Sequence, residues 1–292
     1  MISIVIPNFN SEKLLAKNLP KLLDLLKKAK LKFEIIVVDD ASTDESVGLI
    51  RSPLANQGET FLKIIENPKN LGFASTVDAG IRAARGEIVF TLKTDSLPES
   101  PEYFRLMLKK VHPLKKDEPS EKQVFSVTAA LKTIENGKTE IRGAGEIYFE
   151  KGFFLHRRKN DTSTDWPDGS ASAFRKDLYL KLGGFDKIYD PFYWEDVDLG
   201  FRTRKVGYLC FFEPKAVLIH EHESGAISRH YSPEQIKEIS LRNQFIFTWK
   251  NGNLKQRLLC LFWGPYHCLI AFKNRDWVFF RAIVNFPLAF FR

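Results

Sequence analysis

Alternation between short apolar runs and a helical pattern in the N-terminal third constrains the fold more than any other feature of this chain. Residues 3–6 and 33–38 are apolar runs, and the second is continuous, as in strands that are buried on both faces of a sheet. Between them, residues 12–29 carry leucines at helical spacing. A strand, a helix and a second strand in that order form a right-handed parallel unit. The pattern therefore predicts an α/β fold with a mostly parallel sheet and helices on its faces.

Polar residues follow the first two predicted strands, where ligands of parallel sheets bind. Pro7 and Asn10 come after the first strand, and Asp39 and Asp40 come after the second. Asp39 stands directly at the strand end, where its carboxylate can accept hydrogen bonds from a nucleobase or a ribose. The sequence has neither GxGxxG after the first strand nor GxxxxGK[ST], which argues against a dehydrogenase or a P-loop enzyme.

Two further candidates follow later predicted strands. Asp95 comes after the run at residues 88–92, and His220 comes after the run at residues 216–219. A lone aspartate after a strand is usually a turn residue, and a lone histidine there is usually a satisfied polar group. Strand ends of one parallel sheet converge, however, and a carboxylate with an imidazole suits Mn²⁺ or Mg²⁺ when a phosphate completes the coordination. The pair is therefore a candidate metal site.

Residues 183–207 place three acidic residues directly behind an aromatic run of Phe, Tyr and Trp. Glu195, Asp196 and Asp198 fall in the first turn of a predicted helix. One interpretation is that the carboxylates only complement the helix dipole, with Asp198 paired to Arg202. The other is that Glu195 or Asp196 is a general base behind an aromatic pocket wall. A carboxylate at a partly desolvated junction has its pKa raised toward the range that a base requires.

The composition describes a folded protein of a reducing compartment. Hydrophobic residues make up 44% and charged residues 27% of the chain, so an ample core can form. Three cysteines without CxxC spacing predict no disulfide framework and no CxxC metal pair, and MISIVIPNFN is typical of a strand rather than a signal peptide. The net charge of +8 predicts an anionic partner, and no zinc-finger or RNA-recognition motif favours nucleic acid. We expect a cytoplasmic location.

The C-terminal tail is apolar and aromatic. Residues 258–272 and 277–291 form two apolar runs, each shorter than the roughly 20 residues that span a bilayer. Lysines and arginines flank them, which fits a pair of helices lying in the plane of a membrane surface. Packing on the rest of the protein or on another subunit is the alternative. The change in composition predicts one domain at residues 1–250 and an amphipathic helical tail at residues 251–292.

Several of these segments occur in an order that resembles glycosyltransferase family 2, whose members have the GT-A fold. The segments are SIVIPNFN, IIVVDDASTDES, NPKNLGFASTVDAGIRAARGEIVFTLKTD, GGFD with FYWEDVDLGFR, HEHESGAIS and SLRNQFIFTWK. They cover roughly residues 1–250 and are specific as a set. The later part is most similar to the rhamnosyltransferase-like members.

The resemblance implies an inverting, metal-dependent transfer of a sugar from a nucleotide-sugar donor to a hydroxyl group of a glycan or lipid-linked acceptor. The family context implies surface polysaccharide assembly at the cytoplasmic face of a membrane. Asp196, with Glu195 beside it in the family's ED pair, would deprotonate the acceptor, and Trp194 would form the acceptor wall. Asp95 and His220 would hold a divalent metal, Mn²⁺ or Mg²⁺. The nucleotide pocket would be lined by Pro7, Asn10, Asp39, Asp40, Asn67, Asn70 and Gly72.

One position departs from the family pattern. Lys93 stands two residues before Asp95, where members usually have Asp or Asn. A lysine there would contact a phosphate of the nucleotide-sugar directly, and would either supplement the metal or weaken its binding. It is also the one argument for a rival interpretation, a catalytically silent nucleotide-sugar-binding or scaffold protein. A nucleotidyltransferase, the second rival, is expected to carry a Gly-rich basic loop that PNFNSEK lacks.

Overall fold

The structure is a computed structural model, and it describes residues 1–51, 61–111, 123–135, 138–159, 161–220, 227 and 230–290. Residues 221–226, which belong to the HEHESGAIS segment, lie outside the described residues. The order of elements confirms the α/β fold, with a mostly parallel sheet between layers of helices.

The N-terminal half alternates strands and helices as the apolar pattern predicts. Its elements are β1 Ile2–Asn8, α1 Glu12–Ala29, β2 Phe33–Asp39, α2 Ser46–Arg51, β3 Phe61–Glu66, α3 Phe73–Ala83, β4 Ile88–Thr91, β5 Ser96–Pro98 and α4 Glu102–Val111. The second half begins with strands and ends with helices. Its elements are β6 Val124–Glu135, β7 Lys138–Arg142, β8 Gly145–Glu150, β9 Phe153–Arg158, β10 Ser163–Thr164, β11 Ser172–Arg175, α5 Lys176–Lys181, α6 Glu195–Lys205, β12 Leu209–His220, α7 Pro233–Asn251, α8 Leu254–Lys273 and α9 Trp277–Phe290.

One large sheet carries the site. Its main path runs β3-β2-β1-β4-β11-β6-β12-β10, and β3, β2, β1 and β4 are parallel to one another. The short strand β11 runs antiparallel between β4 and β6, while β12 is parallel to β6. The ends of β1, β2 and β4 therefore meet at one edge of the sheet, next to the end of β12.

The two faces of this sheet are covered by different helices. Successive side chains of a strand point to opposite faces, so Ile4 packs with Leu15 of α1, while Val5 packs with Val77 of α3. All four are buried. Burial on both faces explains why β1 and β2 are continuous apolar runs rather than alternating ones.

The C-terminal helices pack on the second half of the chain. Phe245 of α7 contacts Phe279 of α9, and Phe153 of β9 contacts His267 of α8. Helix α8 begins earlier than the apolar run because Asn253 caps it, accepting a hydrogen bond from the backbone N–H of Gln256. Within the described residues, no helix combines the length and the apolar character that a bilayer span requires.

Candidate active site

A pocket of about 620 Å³ opens at the edge where the strand ends meet. Its wall joins the ends of β1 and β2 to the loop before α3, the segment after β4, the end of β12 and the loop before α6. The predicted site residues that line it are Pro7, Asp40, Asn70, Gly72, Lys93, Asp95 and His220. The pocket thus brings together predicted site residues that lie more than 200 positions apart in the chain.

Asp40 shapes the pocket because its carboxylate binds the loop before α3. Its carboxylate accepts hydrogen bonds from the Asn67 side chain at 2.8 Å and from the backbone N–H groups of Leu71 at 2.8 Å and Gly72 at 3.0 Å. Gly72 has a φ of +87°, and a Cβ there would lie 2.9 Å from Asp190 Oδ1. Glycine is therefore required where this loop crosses the segment that leads to α6.

The end of β1 is tied to the loop after β2. Asp39 accepts hydrogen bonds from the Asn8 side chain at 2.7 Å and from the backbone N–H of Ser42 at 2.9 Å. The side chain of Asn10 accepts from the backbone N–H of Thr43 at 2.7 Å. Asn8, rather than Asn10 or Asp39, lines the pocket. Its buried Oδ1 has no hydrogen-bond partner among the described residues, so it is an acceptor that a ligand N–H could satisfy.

Lys93, Asp95 and His220 form a charged patch on the pocket wall. His220 Nε2 lies 3.4 Å from Asp95 Oδ1. Burial alone would raise the pKa of Asp95, but the hydrogen bond from His220 and the charge of Lys93 lower it overall. Lys93 Nζ lies 5.7 Å from the centre of the Phe73 ring. The cation of Lys93 suits the diphosphate of a nucleotide ligand, and the carboxylate of Asp95 suits it when a divalent cation lies between them.

The donor atoms at Asp95 and His220 fit a divalent cation that a ligand helps to bind. Mg²⁺ and Mn²⁺ bind through one or two protein groups when phosphate oxygens and waters complete the coordination. Across the part of the chain that the structure describes, no group of three or more His, Cys, Asp or Glu side chains is arranged to hold a metal ion. Asp95 and His220 would thus supply two protein donors to an ion whose remaining positions a diphosphate and waters fill.

Glu195 and Asp196 are two adjacent carboxylates with raised pKa values. Burial raises the pKa of Asp196 to about 7, and the charge of Asp168 adds to the shift. Burial also raises the pKa of Glu195 well above its usual range, and the charge of Asp196 adds to it. Asp196 accepts from the backbone N–H of Gly169 at 3.3 Å, whereas Glu195 Oε2 is buried without a partner in the described structure. Neither has the saturated contacts of a purely structural carboxylate.

Helix α6 starts from a strained backbone. Tyr193 and Trp194 both have left-handed conformations, with φ of 71° and 76°. Each such residue costs of order 1–3 kcal/mol and is retained where the surrounding structure imposes it. The strain sits immediately before Glu195 and Asp196, so it fixes the direction in which both carboxylates leave the loop.

The prediction that Trp194 forms the acceptor wall needs a correction. Tyr193 lines the pocket and is exposed, whereas Trp194 is buried and packs on Phe247 of α7 with ring centres 5.1 Å apart. The consecutive left-handed residues turn the two side chains into different environments. The sequence run Phe-Tyr-Trp indicated an aromatic wall, but it could not say which ring faces the ligand.

Helix α7 holds the strained loop in place, a role that the sequence did not reveal. The side-chain amide of Asn243 donates to the carbonyl oxygens of Tyr189 at 2.7 Å, Phe192 at 2.9 Å and Tyr193 at 2.9 Å. Its neighbour Arg242 donates to the carbonyl oxygen of Asp190. Both belong to the SLRNQFIFTWK segment, whose polar residues in an otherwise apolar helix were the available signal.

Comparison with known sequences decides the family. The family described as Glycosyl transferase family 2 matches residues 3–182, which is more than half of the chain. The chain belongs to glycosyl transferase family 2. The resemblance seen in the sequence is confirmed at this level, and the rhamnosyltransferase-like subtype stays a prediction.

Two of the proteins that this chain is similar to are both named undecaprenyl-phosphate 4-deoxy-4-formamido-L-arabinose transferase. The protein of Pseudomonas fluorescens (strain Pf-5) is 35% identical over 101 residues, which cover 35% of this chain and 29% of its own length. The protein of Pseudomonas aeruginosa (strain PAO1) is 36% identical over 106 residues, which cover 35% of this chain and 30% of its own length. The chain therefore matches less than a third of the length of these relatives.

Solved structures show the same fold at low sequence identity. The mannosyltransferase PcManGT from Pyrobaculum calidifontis, in complex with GDP-Man and Mn²⁺, has a TM-score of 0.61 at 17% identity, covering 98% of this chain and 86% of its own. TarS 1-349 of S. aureus, in complex with UDP-GlcNAc, has a TM-score of 0.57 at 17% identity, covering 99% of this chain and 81% of its own. The family member described here shares the fold of these proteins.

Proposed function

We propose that this protein transfers a sugar from a nucleotide-sugar donor to a hydroxyl group of a glycan or lipid-linked acceptor, with inversion at the anomeric carbon. The observation that carries the proposal is the placement of a carboxylate with a pKa of about 7, Asp196, beside a pocket that holds Lys93, Asp95 and His220. The charge of Lys93 acts on the pKa of both Glu195 and Asp196, so the two groups of residues are electrostatic neighbours.

The donor would occupy the pocket. Its volume of about 620 Å³ lies within the usual range of small-molecule sites. The nucleoside would lie against Pro7 and Asn8. The Asn8 Oδ1, which has no partner among the described residues, would accept from a nucleobase N–H. The diphosphate would lie at Lys93, Asp95 and His220. A divalent metal held there with the phosphate oxygens would neutralise the charge that develops on the leaving diphosphate.

Asp196 would act on the acceptor. As the acceptor oxygen forms a bond to the anomeric carbon, the bond from that carbon to the diphosphate oxygen breaks, and Asp196 takes the hydroxyl proton. A general base works best when its pKa lies near the working pH, which burial achieves for this carboxylate. Burial and the charge of Asp196 raise the pKa of Glu195 well above its usual range, so the two carboxyl groups titrate as a pair and share their protons.

Donor binding and turnover test the proposal. The purified protein would be incubated with UDP-, dTDP- and GDP-sugars, with and without Mn²⁺, while thermal stability and nucleotide release are recorded. The panel includes dTDP-rhamnose, because the later sequence segments favour a rhamnosyltransferase-like subtype. We expect one donor to raise the melting temperature and to release nucleotide slowly, and Asp196→Asn to retain the shift and lose the release. Failure of every donor to bind would contradict the proposal, and binding with equal release in both proteins would remove Asp196 as the base.

A lipid-linked acceptor would bring the protein to a membrane, and helix α8 supplies a surface for it. One face of α8 packs on the protein through Cys260 and Ala271. The opposite face is apolar and exposed, at helical spacing, and consists of Leu254, Leu258, Leu261, Phe262, Leu269 and Phe272. Lys255, Lys273 and Arg275 are exposed near the two ends of this face and complement anionic headgroups.

Peripheral binding at the cytoplasmic face of a membrane is therefore part of the proposal, and the tail at residues 251–292 is the segment assigned to it. The test is co-sedimentation with vesicles of phosphatidylcholine and phosphatidylglycerol. We expect the double variant Leu261→Glu, Phe262→Glu to lose binding, and Leu180→Glu, at an exposed apolar residue of α5, to retain it. Equal sedimentation of the double variant, or self-association of the wild type without vesicle binding, would contradict the membrane assignment.

A further inference from the structure

Three aromatic rings converge near the start of α6, outside the lining of the pocket. His156 of β9 lies with its ring centre 5.4 Å from that of Trp166 and 5.2 Å from that of Trp194. The rings meet at steep angles of 65° and 69°, so the arrangement is edge-to-face. Trp194 precedes Asp196 by two residues, which places the cluster at the start of α6.

Trp166 lies on the face of α6 that carries Asp196. A Cβ at Gly200 would come within 2.4 Å of the Trp166 Cα, so the tryptophan backbone rests directly on this glycine. Gly200 follows Asp196 by four residues, and residues four apart share one face of a helix. Gly169, three residues after Trp166, donates its backbone N–H to Asp196 Oδ2 at 3.3 Å. Two separate contacts thus hold the Trp166 segment against the proposed base.

The Trp166 ring is held in one position. A Cβ at Gly145 would lie 2.0 Å from Trp166 Cη2, so the ring occupies the space that a side chain at Gly145 would need. The hydroxyl of Thr164 donates to the carbonyl oxygen of Trp166 at 3.0 Å. The close contact of the ring with Gly145 and the fixed backbone make the ring preorganised, which reduces the entropy lost when a ligand binds to it.

The exposed surface of the cluster has the chemistry of a sugar-binding site. Trp194 is buried, Trp166 is half-buried and His156 is exposed, so the last two are accessible from solvent. The negative face of an aromatic ring attracts the partly positive C–H groups that line one face of a pyranose. The imidazole nitrogens of His156 and the half-buried carboxylate of Asp168 are polar groups that sugar hydroxyls can bond.

We propose that Trp166 and His156 form the acceptor subsite and hold a sugar ring of the acceptor next to Asp196. The proposal rests on the proposed glycosyl transfer, because that reaction needs an acceptor at the base while the donor fills the pocket. It also reassigns the aromatic contact that the sequence attributed to Trp194. Trp194 packs against the ring of His156, and Trp166 and His156 make the contact with the acceptor sugar.

Ligand binding by the full-length protein tests the subsite without requiring turnover. The probes are methyl glycosides of glucose, galactose, N-acetylglucosamine and rhamnose, followed by saturation-transfer NMR and titrated to obtain a Kd. The variants are His156→Ala, at an exposed position, and Trp166→Leu. Tyr148→Ala is the matched control, because Tyr148 pairs with Leu155 and Ile147 with His156, so Tyr148 lies on the opposite face of the same hairpin. Circular dichroism checks that each variant is folded, and His156→Ala carries the test alone if Trp166→Leu does not fold.

We expect at least one glycoside to bind to the wild type. Its Kd should rise about three- to tenfold in His156→Ala and Trp166→Leu and stay unchanged in Tyr148→Ala. The Kd for the nucleotide part of the donor should not change in any variant. Unchanged glycoside affinity in His156→Ala and in every folded Trp166 variant, or no glycoside binding at all, would overturn the subsite. If the glycoside binds as expected and no donor nucleotide binds, the proposed transfer fails while the sugar-binding site stands.

Discussion

The first turn of α6 carries acidic residues with opposite surroundings on its two sides. Asp198 accepts hydrogen bonds from Tyr189 at 3.0 Å, Arg202 at 2.7 Å, Lys250 at 2.8 Å and Asn251 at 2.8 Å. Burial alone would raise the pKa of Asp198, but the charges of Arg202 and Lys250 lower it overall. Asp196, two residues earlier, has no cation bonded to it among the described residues, and its pKa is raised to about 7.

The difference shows that two acidic residues with the same sequence pattern acquire different functions only through their contacts in the folded chain. Asp196 and Asp198 look alike in the sequence, and both suit the positive end of a helix dipole. Two of the four partners of Asp198, Lys250 and Asn251, come from α7, more than 50 residues away. Asp198 has the contacts of a structural ion pair, whereas Asp196 has the raised pKa that a base requires. Three variants separate these two roles.

Asp196→Asn should give the largest effect. Removing a general base lowers turnover by about 10²- to 10⁴-fold, because the acceptor hydroxyl then keeps its proton. Asparagine is close in shape and can still accept the hydrogen bond from Gly169, so the melting temperature should change little. The measurement is the initial rate of nucleotide release with a saturating donor. A variant that retains more than half of the wild-type rate would contradict the base assignment.

Asp198→Ala should act on stability instead. Breaking a buried ion pair by removing one partner costs about 3–5 kcal/mol, because Arg202 and Lys250 lose their buried counter-charge. Since the pKa of Asp198 is lowered in the fold, its stabilisation is present at neutral pH and is lost as the pH falls below the ordinary range of an aspartate. Urea unfolding at pH 7 measures the change in the free energy of unfolding. A loss below about 1 kcal/mol would show that the ion pair is not structural.

Asn243→Ala should have the smallest of the three effects, and it should lower both turnover and stability. The carbonyl oxygens of Phe192 and Tyr193 would lose their donor, and the strained turn before Asp196 would relax. Misplacing a catalytic group by about 1 Å can cost up to 10²-fold in rate, so we expect kcat/KM to fall by about tenfold or more. Gln244→Ala is the control, because Gln244 bonds Phe154 on another part of the fold. Equal losses in the two variants would mean that Asn243 only stabilises the helix packing.

The fold could be predicted because its signals are local. The apolar runs of β1 and β2 and the leucine spacing of α1 determine strand, helix and strand without reference to the rest of the chain. The convergence of Pro7, Asp40 and Asp95 at one pocket follows from the rule that parallel strands end at the same edge. These residues are predictable because topology alone positions them.

The remaining features depend on contacts between distant segments. The sequence does not show that Asn243 supports the loop before α6, since 50 or more residues separate the partners. It does not show that Trp194 is buried while Tyr193 is exposed, because the left-handed backbone at these two residues determines where each side chain points. The Trp166 and His156 cluster depends on Gly145 leaving room for the Trp166 ring and on Gly200 leaving room for its backbone, which no sequence periodicity indicates.

The pH dependence of kcat/KM tests the central claim most directly. If Asp196 is the base, kcat/KM should rise with pH along an acidic limb whose apparent pKa lies near 7, because the carboxylate must lose its proton to act. That value belongs to the Glu195–Asp196 pair as a unit. The limb should be absent from the residual activity of Asp196→Asn. An acidic limb at about 4, the range of an ordinary aspartate, or an unchanged limb in the variant, would contradict the account.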